Sequence, residues 1–314
     1  MINGRRIRRI LLTALALFLL TAPPGGAAET LKYRGVTVSR DAETLDLGKV
    51  SIQDWDSFYA FLDQMPNLKQ VDMYGNVIGP KVFRVLNEKY PQITFGTRLG
   101  IGPRRVRTDV TAFSTLLMTD EENLATYDQC AMLTWCGDHL YALDLGHNPI
   151  RKLDFLYELP ELRVLIVAIC GLTDITPIAS LKHLEYLEIF HNDIEDLSPL
   201  ADLPYLMDLN IVRNRVTDLK PLYGLKSLQR LWIHLYDRDN KRAPDAETLQ
   251  ALREALPDCH IDAESTSTAG GWRKDPHYEV LKRMFQARSY EPFADSKPEN
   301  MPEPWRSEAL KGQD

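Results

Sequence analysis

The sequence predicts an α/β solenoid: a parallel sheet lining a concave face, with short 3₁₀ or helical segments on the convex side. Three observations carry this reading. Leu140, Leu162, Leu184, Leu206 and Leu228 recur at a step of 22 residues, and Leu143, Leu165, Leu187, Leu209 and Leu231 follow each of them by three. Asn148, Asn192 and Asn214 hold the ninth place of their repeats, and Thr176-Pro177, Ser198-Pro199 and Lys220-Pro221 share one place in the return half. A unit this short cannot bury its own apolar face and becomes stable only by stacking. Stacking leaves one long concave surface, so the expected role is binding rather than chemistry.

Taken in order, residues 1–28 read as a secretory signal. Arg5, Arg6, Arg8 and Arg9 form a basic start, Ile10 to Leu20 an apolar stretch, and Gly26-Ala27-Ala28 a small-residue site with cleavage expected after Ala28. The rival reading, an uncleaved anchor, requires roughly 18 apolar residues, and this run is shorter. After cleavage no membrane span is expected, and the chain is expected outside the cytoplasm, secreted or in the cell envelope. The formal charge of −7 becomes −11 once this arginine-only segment is removed. That balance argues against nucleic acid or an anionic membrane as the main partner. Cys130, Cys136, Cys170 and Cys259 are too scattered for a disulfide framework, and free, buried thiols are expected.

Next comes a stretch that reads as a divergent extension of the stack. Leu45-Asp46-Leu47, Val71-Asp72-Met73 and Ile93-Thr94-Phe95 are strand-like triplets, and between them Asp54 to Met65 and Pro80 to Tyr90 carry helical spacing. A helix from Asp120 to Cys136 bridges to the regular repeats. Residues 29–139 thus form divergent units plus a bridge, in one continuous domain with the rest, although a kink at the bridge stays open.

Within the regular repeats, residues 140–263, Leu184, Leu187 and Ile189 point to the core, because alternate residues of a strand face opposite sides. Asn148, Asn192 and Asn214 are read as a structural ladder that satisfies turn backbone groups, with Cys170 taking the same place in the second repeat. Thr176 and Ser198 are read as N-caps before proline. Asp174, Asp196 and Asp218 are read as turn carboxylates. The helix Asp245 to Leu256 and the Pro257-to-Ile261 segment close the array.

The segment Leu184-Glu-Tyr-Leu-Glu-Ile-Phe-His-Asn-Asp-Ile-Glu-Asp-Leu-Ser-Pro-Leu resembles the 22-residue leucine-rich repeats of bacterial secreted and cell-surface proteins, the internalin-like class, over residues 140–235. The helix-bearing flanking units resemble the longer, ribonuclease-inhibitor style. The resemblance implies a leucine-rich repeat horseshoe with protein recognition on its concave face. No lipobox and no apolar C-terminal sorting tail accompany it here.

Beyond Ile261, Ser265 to Gly271 reads as a Ser/Thr/Gly linker. Asp275-Pro276 caps an amphipathic helix with Tyr278, Leu281, Met284 and Phe285 on one stripe, expected as a lid over the open solenoid end or as a partner-binding helix. The linker and this capping helix occupy 264–288. Residues 289–314, rich in Pro, Glu and Ser, read as a disordered tail.

The concave face supplies the candidate site. Tyr186, Glu188, Phe190, His191, Asp208, Asn210, Arg213, Trp232 and His234 take outward places in their repeats. Tyr186, Phe190, Trp232 and Val212 would make an aromatic and apolar patch with a charged rim, the composition in which protein interfaces concentrate their energy. The strongest expectation falls on Tyr186, Phe190, Asn210, Arg213 and Trp232; the alternative is that Phe190 and Trp232 lean on neighbours or lie under the C-terminal helix or the Asp237–Pro244 loop. His147, His191 and His234 sit two strands apart in succession, about 10 Å by strand spacing, too far to share a metal. No metal, cofactor or catalytic residue is expected: hydrolase, phosphate-loop and Cys-x-x-Cys signatures are absent, and Asp237-Arg-Asp-Asn-Lys241 fails as a calcium loop. A hydrolase built on Glu188, His191 and Asp208 has no motif behind it. A protein partner of unknown identity is the principal expectation, and an envelope scaffold presenting its C-terminal helix and tail is the alternative.

Overall fold

The computed structural model describes residues 29–115, 124–234, 245–265 and 271–311. The expected signal, residues 1–28, and the whole of the Asp237–Pro244 loop lie outside them. Thr30–Tyr33 (β1) and Val36–Ser39 (β2) pair as a hairpin whose turn, Arg34 and Gly35, has positive φ at both positions, the turn that suits the right-handed twist of paired strands.

Two sheets follow. The first joins Thr44–Asp46 (β3), Gln70–Ile78 (β4), Thr94–Ile101 (β5) and Arg104–Arg107 (β6) in that order. Its first three strands are parallel, connected by the helices Trp55–Leu62 (α1) and Pro80–Lys89 (α2). Asp54 caps α1 by accepting from the amides of Asp56 and Ser57, and Pro80 starts α2 where its missing N–H costs nothing.

The second sheet is wholly parallel: Ala112–Ser114 (β7), Ala142–Asp144 (β8), Val164–Ile166 (β9), Tyr186–Glu188 (β10), Asp208–Asn210 (β11), Arg230–Trp232 (β12) and His260–Asp262 (β13). From β8 to β12 every register step is 22 residues, Ala142 opposite Val164, Tyr186, Asp208 and Arg230 in turn. The leucine spacing is therefore the strand register itself. Between the two sheets the hydrogen bonding breaks, because β6 turns back antiparallel at Gly102 and fills the free edge of β5. The apolar core nonetheless runs without interruption from Tyr33 to Ala263. Trp135 joins the halves, its ring 5.2 Å from Phe95 and 4.9 Å from Phe83.

The bridge differs from its expected form. What is described of it is the short helix Tyr127–Ala131 (α3), with a Thr126/Gln129 capping box, followed by a 3₁₀ segment Met132–Cys136. Strand β7 before it was not anticipated. On the convex side lie 3₁₀ segments Asp154–Glu158, Thr176–Ser180, Ser198–Leu200 and Lys220–Leu222. Their caps correct the sequence reading. The Thr176 and Ser198 hydroxyls do not cap, because these residues already lie inside the 3₁₀ segments, one place past the cap positions Ile175 and Leu197; Asp174, Asp196 and Asp218 instead accept from the amides of residues 176, 198 and 220 at 2.8–2.9 Å.

Helix Ala246–Ala255 (α4) precedes β13 and closes the array. Helix Pro276–Ala287 (α5) and helix Trp305–Lys311 (α6) then follow. Two expectations fail here. Helix α5 packs across the concave sheet against β7 rather than over the solenoid's end. The tail read as disordered is folded from 289 to 311, with Tyr290, Phe293 and Met301 buried. Among the described residues no helix is long and apolar enough to cross a membrane.

Candidate functional site: the covered concave face

The ladder is the simplest part. Asn192 Oδ1 accepts from the amides of Cys170 and Leu172, and its Nδ2 donates to the carbonyls of Val167 and Ile189. Asn148 and Asn214 repeat the arrangement, and Cys170 Sγ donates to the Leu145 carbonyl at 3.3 Å. One rung was missed in the sequence: Asn76, buried, accepts from the Ile52 amide and donates to the Val50 and Met73 carbonyls. Its spacing of three from Met73 is that of Asn192 from Ile189, and this was the available signal. All four cysteines are free, Cys259 only half-buried, and burial pushes the Cys130 and Cys136 thiols up to about 12.

The nine expected binding residues are brought to one face, but most are not open to solvent. Tyr186, Glu188, Phe190, Asp208, Asn210, Trp232 and His234 are buried, Arg213 is half-buried and His191 exposed. The last two sit at positive φ, as do His147 and Ile169, so the eighth place of the first four repeats is the corner leaving the strand rather than the face itself. The expectation of an exposed patch is thus overturned, and over Tyr186, Glu188, Asp208 and Trp232 the cover is the C-terminal segment, residues 271–311.

Trp272 is the keystone of this cover. Its ring lies 5.4 Å from Tyr186, 5.7 Å from Trp232 and 4.0 Å from the Arg230 guanidinium, and its Nε1 donates to Glu188 Oε2 at 2.9 Å. Arg230 in turn donates to Asp208 Oδ1, the Trp272 carbonyl and the Asp275 carboxylate. His277 then bridges the two bodies, Nδ1 to Asp208 at 2.5 Å and Nε2 to Asp295 at 2.9 Å. Burial opposes charge on this imidazole, but the hydrogen bonds and charges of Asp208 and Asp295 outweigh it and hold its pKa at about 9. The imidazolium is therefore the form present at neutral pH, donating from both ring nitrogens.

A second set of polar contacts fixes the far end of the cover. Asn300 Nδ2 donates to Glu185 Oε1 at 2.7 Å and to the His183 carbonyl, Ser296 Oγ donates to Glu185 Oε2, and Arg163 Nε donates to the Asn300 carbonyl. Burial raises the Glu185 pKa despite these bonds. Between the two sets, Leu281, Met284, Tyr290 and Phe293 rest on Ala112, Ala142, Val164 and Tyr186. The third place of each repeat is small in β7 to β9 and large afterwards, so the sheet offers a hollow that α5 fills. The face and the helix of the cover were both visible in the sequence, and covering of Phe190 and Trp232 by that helix was the alternative reading; no spacing in the chain decided for it.

These contacts also separate the residues of the motif-less hydrolase reading. Glu188 is bonded to Trp272, Asp208 to Arg230 and His277, while His191 stands at the exposed corner of its repeat. Among the described residues no group of three or more His, Cys, Asp or Glu is placed to hold a metal ion.

With the geometry in place, comparison with known proteins gives the following. The sequence model of the family "Leucine Rich repeat" matches residues 180–197. No curated protein matches the sequence. Among solved structures, internalin C2 of Listeria monocytogenes is similar at 22% identity and TM-score 0.34, over 67% of this chain and 79% of that one. Internalin F of the same organism is similar at 18% and 0.38, over 72% and 85%. A leucine-rich repeat protein of Leptospira interrogans is similar at 18% and 0.32, over 69% and 75%. Leucine-rich repeats typically mediate protein–protein interaction. The 22-residue register and the asparagine ladder give this chain a leucine-rich repeat fold, and its residues 180–197 match the repeat's sequence model.

Proposed function

We propose that this protein binds another protein through its concave face, and that the segment 271–311 is a built-in competitor which must move aside first. Trp232, Tyr186, Asn210, Phe190 and Arg213 are then the partner contacts. The observation that carries the reading is the nature of the cover: an aromatic anchor, Trp272, in a pocket of aromatic side chains, ringed by hydrogen-bonded charges. Protein interfaces are built this way. Asn210 supports it as well. Its Nδ2 is buried with no acceptor among the described residues, a donor left over when the segment occupies the face.

The second reading is a permanent closure, in which the segment is simply part of the core and the protein serves as an envelope scaffold. The buried Arg163–Asn300–Glu185 contacts favour it. A chain ending at Ser265 separates the two. Under the competitor reading it melts cooperatively, binds a synthetic 271–311 peptide added in trans, and takes up its partner more tightly than the full chain, with the peptide displacing that partner. Loss of cooperative melting on truncation would point to permanent closure. An extracytoplasmic location, supported by the composition of residues 1–28, is part of the same proposal, and N-terminal sequencing of the mature protein should then begin at Glu29.

A further inference from the structure

Helix α5 does not fill its hollow completely. Between it and strands β7 to β10 lies a cavity of about 390 Å³, within the range of small-ligand sites. Its floor is acidic. Asp144 and Glu188, 1% and 3% exposed, stand two strands apart with Ile166 between them. Asp144 accepts from the Gly146 amide at 2.9 Å and from Ser114 Oγ at 2.7 Å. Glu188 takes its bonds on Oε2, from Trp272 and from the Tyr186 hydroxyl. Among the described residues no basic group lies within 4.0 Å of either carboxylate, and no donor of the chain reaches Glu188 Oε1. Burial raises both pKa values; the hydrogen bonds from Gly146 and Ser114 to Asp144 and from Trp272 to Glu188, and then the charge of the more distant Arg273, pull them down only in part.

The walls and mouth have different chemistry. Phe113, Ile166, Leu281 and Phe285 supply apolar walls. At the mouth are Arg104, Arg273, Lys282 and Arg288, an excess of cations in a chain of net charge −7. Arg273 and Lys282 flank the Tyr278 ring at 5.6 and 5.2 Å. Among the described residues no carboxylate lies within 4.0 Å of Arg104, Arg273 or Arg288.

We propose that this cavity binds a small zwitterion: a guanidinium or primary ammonium that pairs with Asp144 and Glu188, an apolar stem along the phenylalanine walls, and a carboxylate held at the mouth by Arg273 and its neighbours. A buried carboxylate without a counter-ion is costly, and a ligand cation offsets that cost. The cationic mouth disfavours polyamines and metal ions, and the acidic floor disfavours dicarboxylates. An amino acid with a basic side chain has the required form. Because sheet and α5 each contribute half of the site, such a ligand stabilises the closed form by mass action. The proposal needs only the closed arrangement and stands whether or not a protein partner exists.

Titration calorimetry and thermal unfolding of the full chain test it, with L-arginine and L-lysine as probes. Agmatine serves as the same guanidinium without a carboxylate, and L-citrulline as the neutral head group. One saturable site for a basic amino acid is expected, with agmatine and citrulline each at least about tenfold weaker, the ordinary weight of one charged contact. Glu188→Gln, which keeps an acceptor for Trp272, and Arg273→Ala, at an exposed position, should each weaken binding by about tenfold or more while the melting of the ligand-free chain is retained. Absence of any saturable signal for both amino acids up to about 10 mM would overturn the site. So would equal binding of agmatine or citrulline, or an undiminished affinity in folded Glu188→Gln.

Discussion

Asn192 shows how much one side chain can decide in a solenoid. Its amide satisfies four backbone groups of two successive repeats, each an obligatory donor or acceptor in a turn without water. Asn192→Ala is therefore expected to cost about 3 kcal/mol, measured as a drop in urea midpoint with unchanged slope. His277 is the residue that answers to pH. Its folded pKa of about 9 lies above the ordinary histidine value of 6.5, so its stabilisation is complete below about pH 6.5 and is lost as pH rises through 9. A difference of this size corresponds to about 3 kcal/mol. Tryptophan fluorescence followed from pH 6 to 10 should report loosening of the cover in the wild type, and His277→Gln should be flat across that window. Asn192 was legible because its place recurs at the repeat period. The partners of His277, Asp208 and Asp295, are 69 and 18 residues away in sequence, and no period connects them.

At the scale of elements, the strands of the regular repeats and the helix α5 were legible, and the docking of the cover was not. A strand in this array repeats its neighbour's pattern, so one recognised unit identifies the next. The segment 271–311 repeats nothing, and beyond its amphipathic helix residues 289–311 carry the prolines and acids of a disordered tail. What folds it is the sheet beneath it: α5 has one apolar stripe, and the small Ala112, Ala142 and Val164 leave a hollow of matching shape. Trp272 is the strongest single attachment of this element. Trp272→Ala should weaken the closed form by about 4 kcal/mol, read as proteolysis between the repeats and α5 and as new binding of a hydrophobic dye, with the melting of the repeats themselves little changed. A variant as protease-resistant as the wild type would show that Trp272 is not the keystone.

For the whole molecule, the break between the two sheets raises the question of how many units fold together. Hydrogen bonding stops at β6, but the core does not, and Phe83, Phe95 and Trp135 stack across the junction. Packing rather than the backbone ladder holds the halves together, so one unfolding transition is expected. Hydrogen exchange should give the slowest amides of β4 and of β10 the same opening free energy. Two separate values would mean two folding units. The −7 charge of the chain is unevenly spread as well, with basic side chains gathered at the cavity mouth and acids beneath them, a separation that only the folded arrangement produces.

The sequence by itself determined the repeat length, the strand register, the core leucines and the asparagine ladder. These follow from local periodicity, since each unit meets only its immediate neighbours. The tertiary structure alone decided that the concave face is closed, that His277 bridges Asp208 and Asp295, and that Asp144 and Glu188 share a cavity roofed by α5. Those are contacts between a periodic surface and a non-periodic segment, chosen by shape and charge complementarity, and no spacing in the chain encodes them.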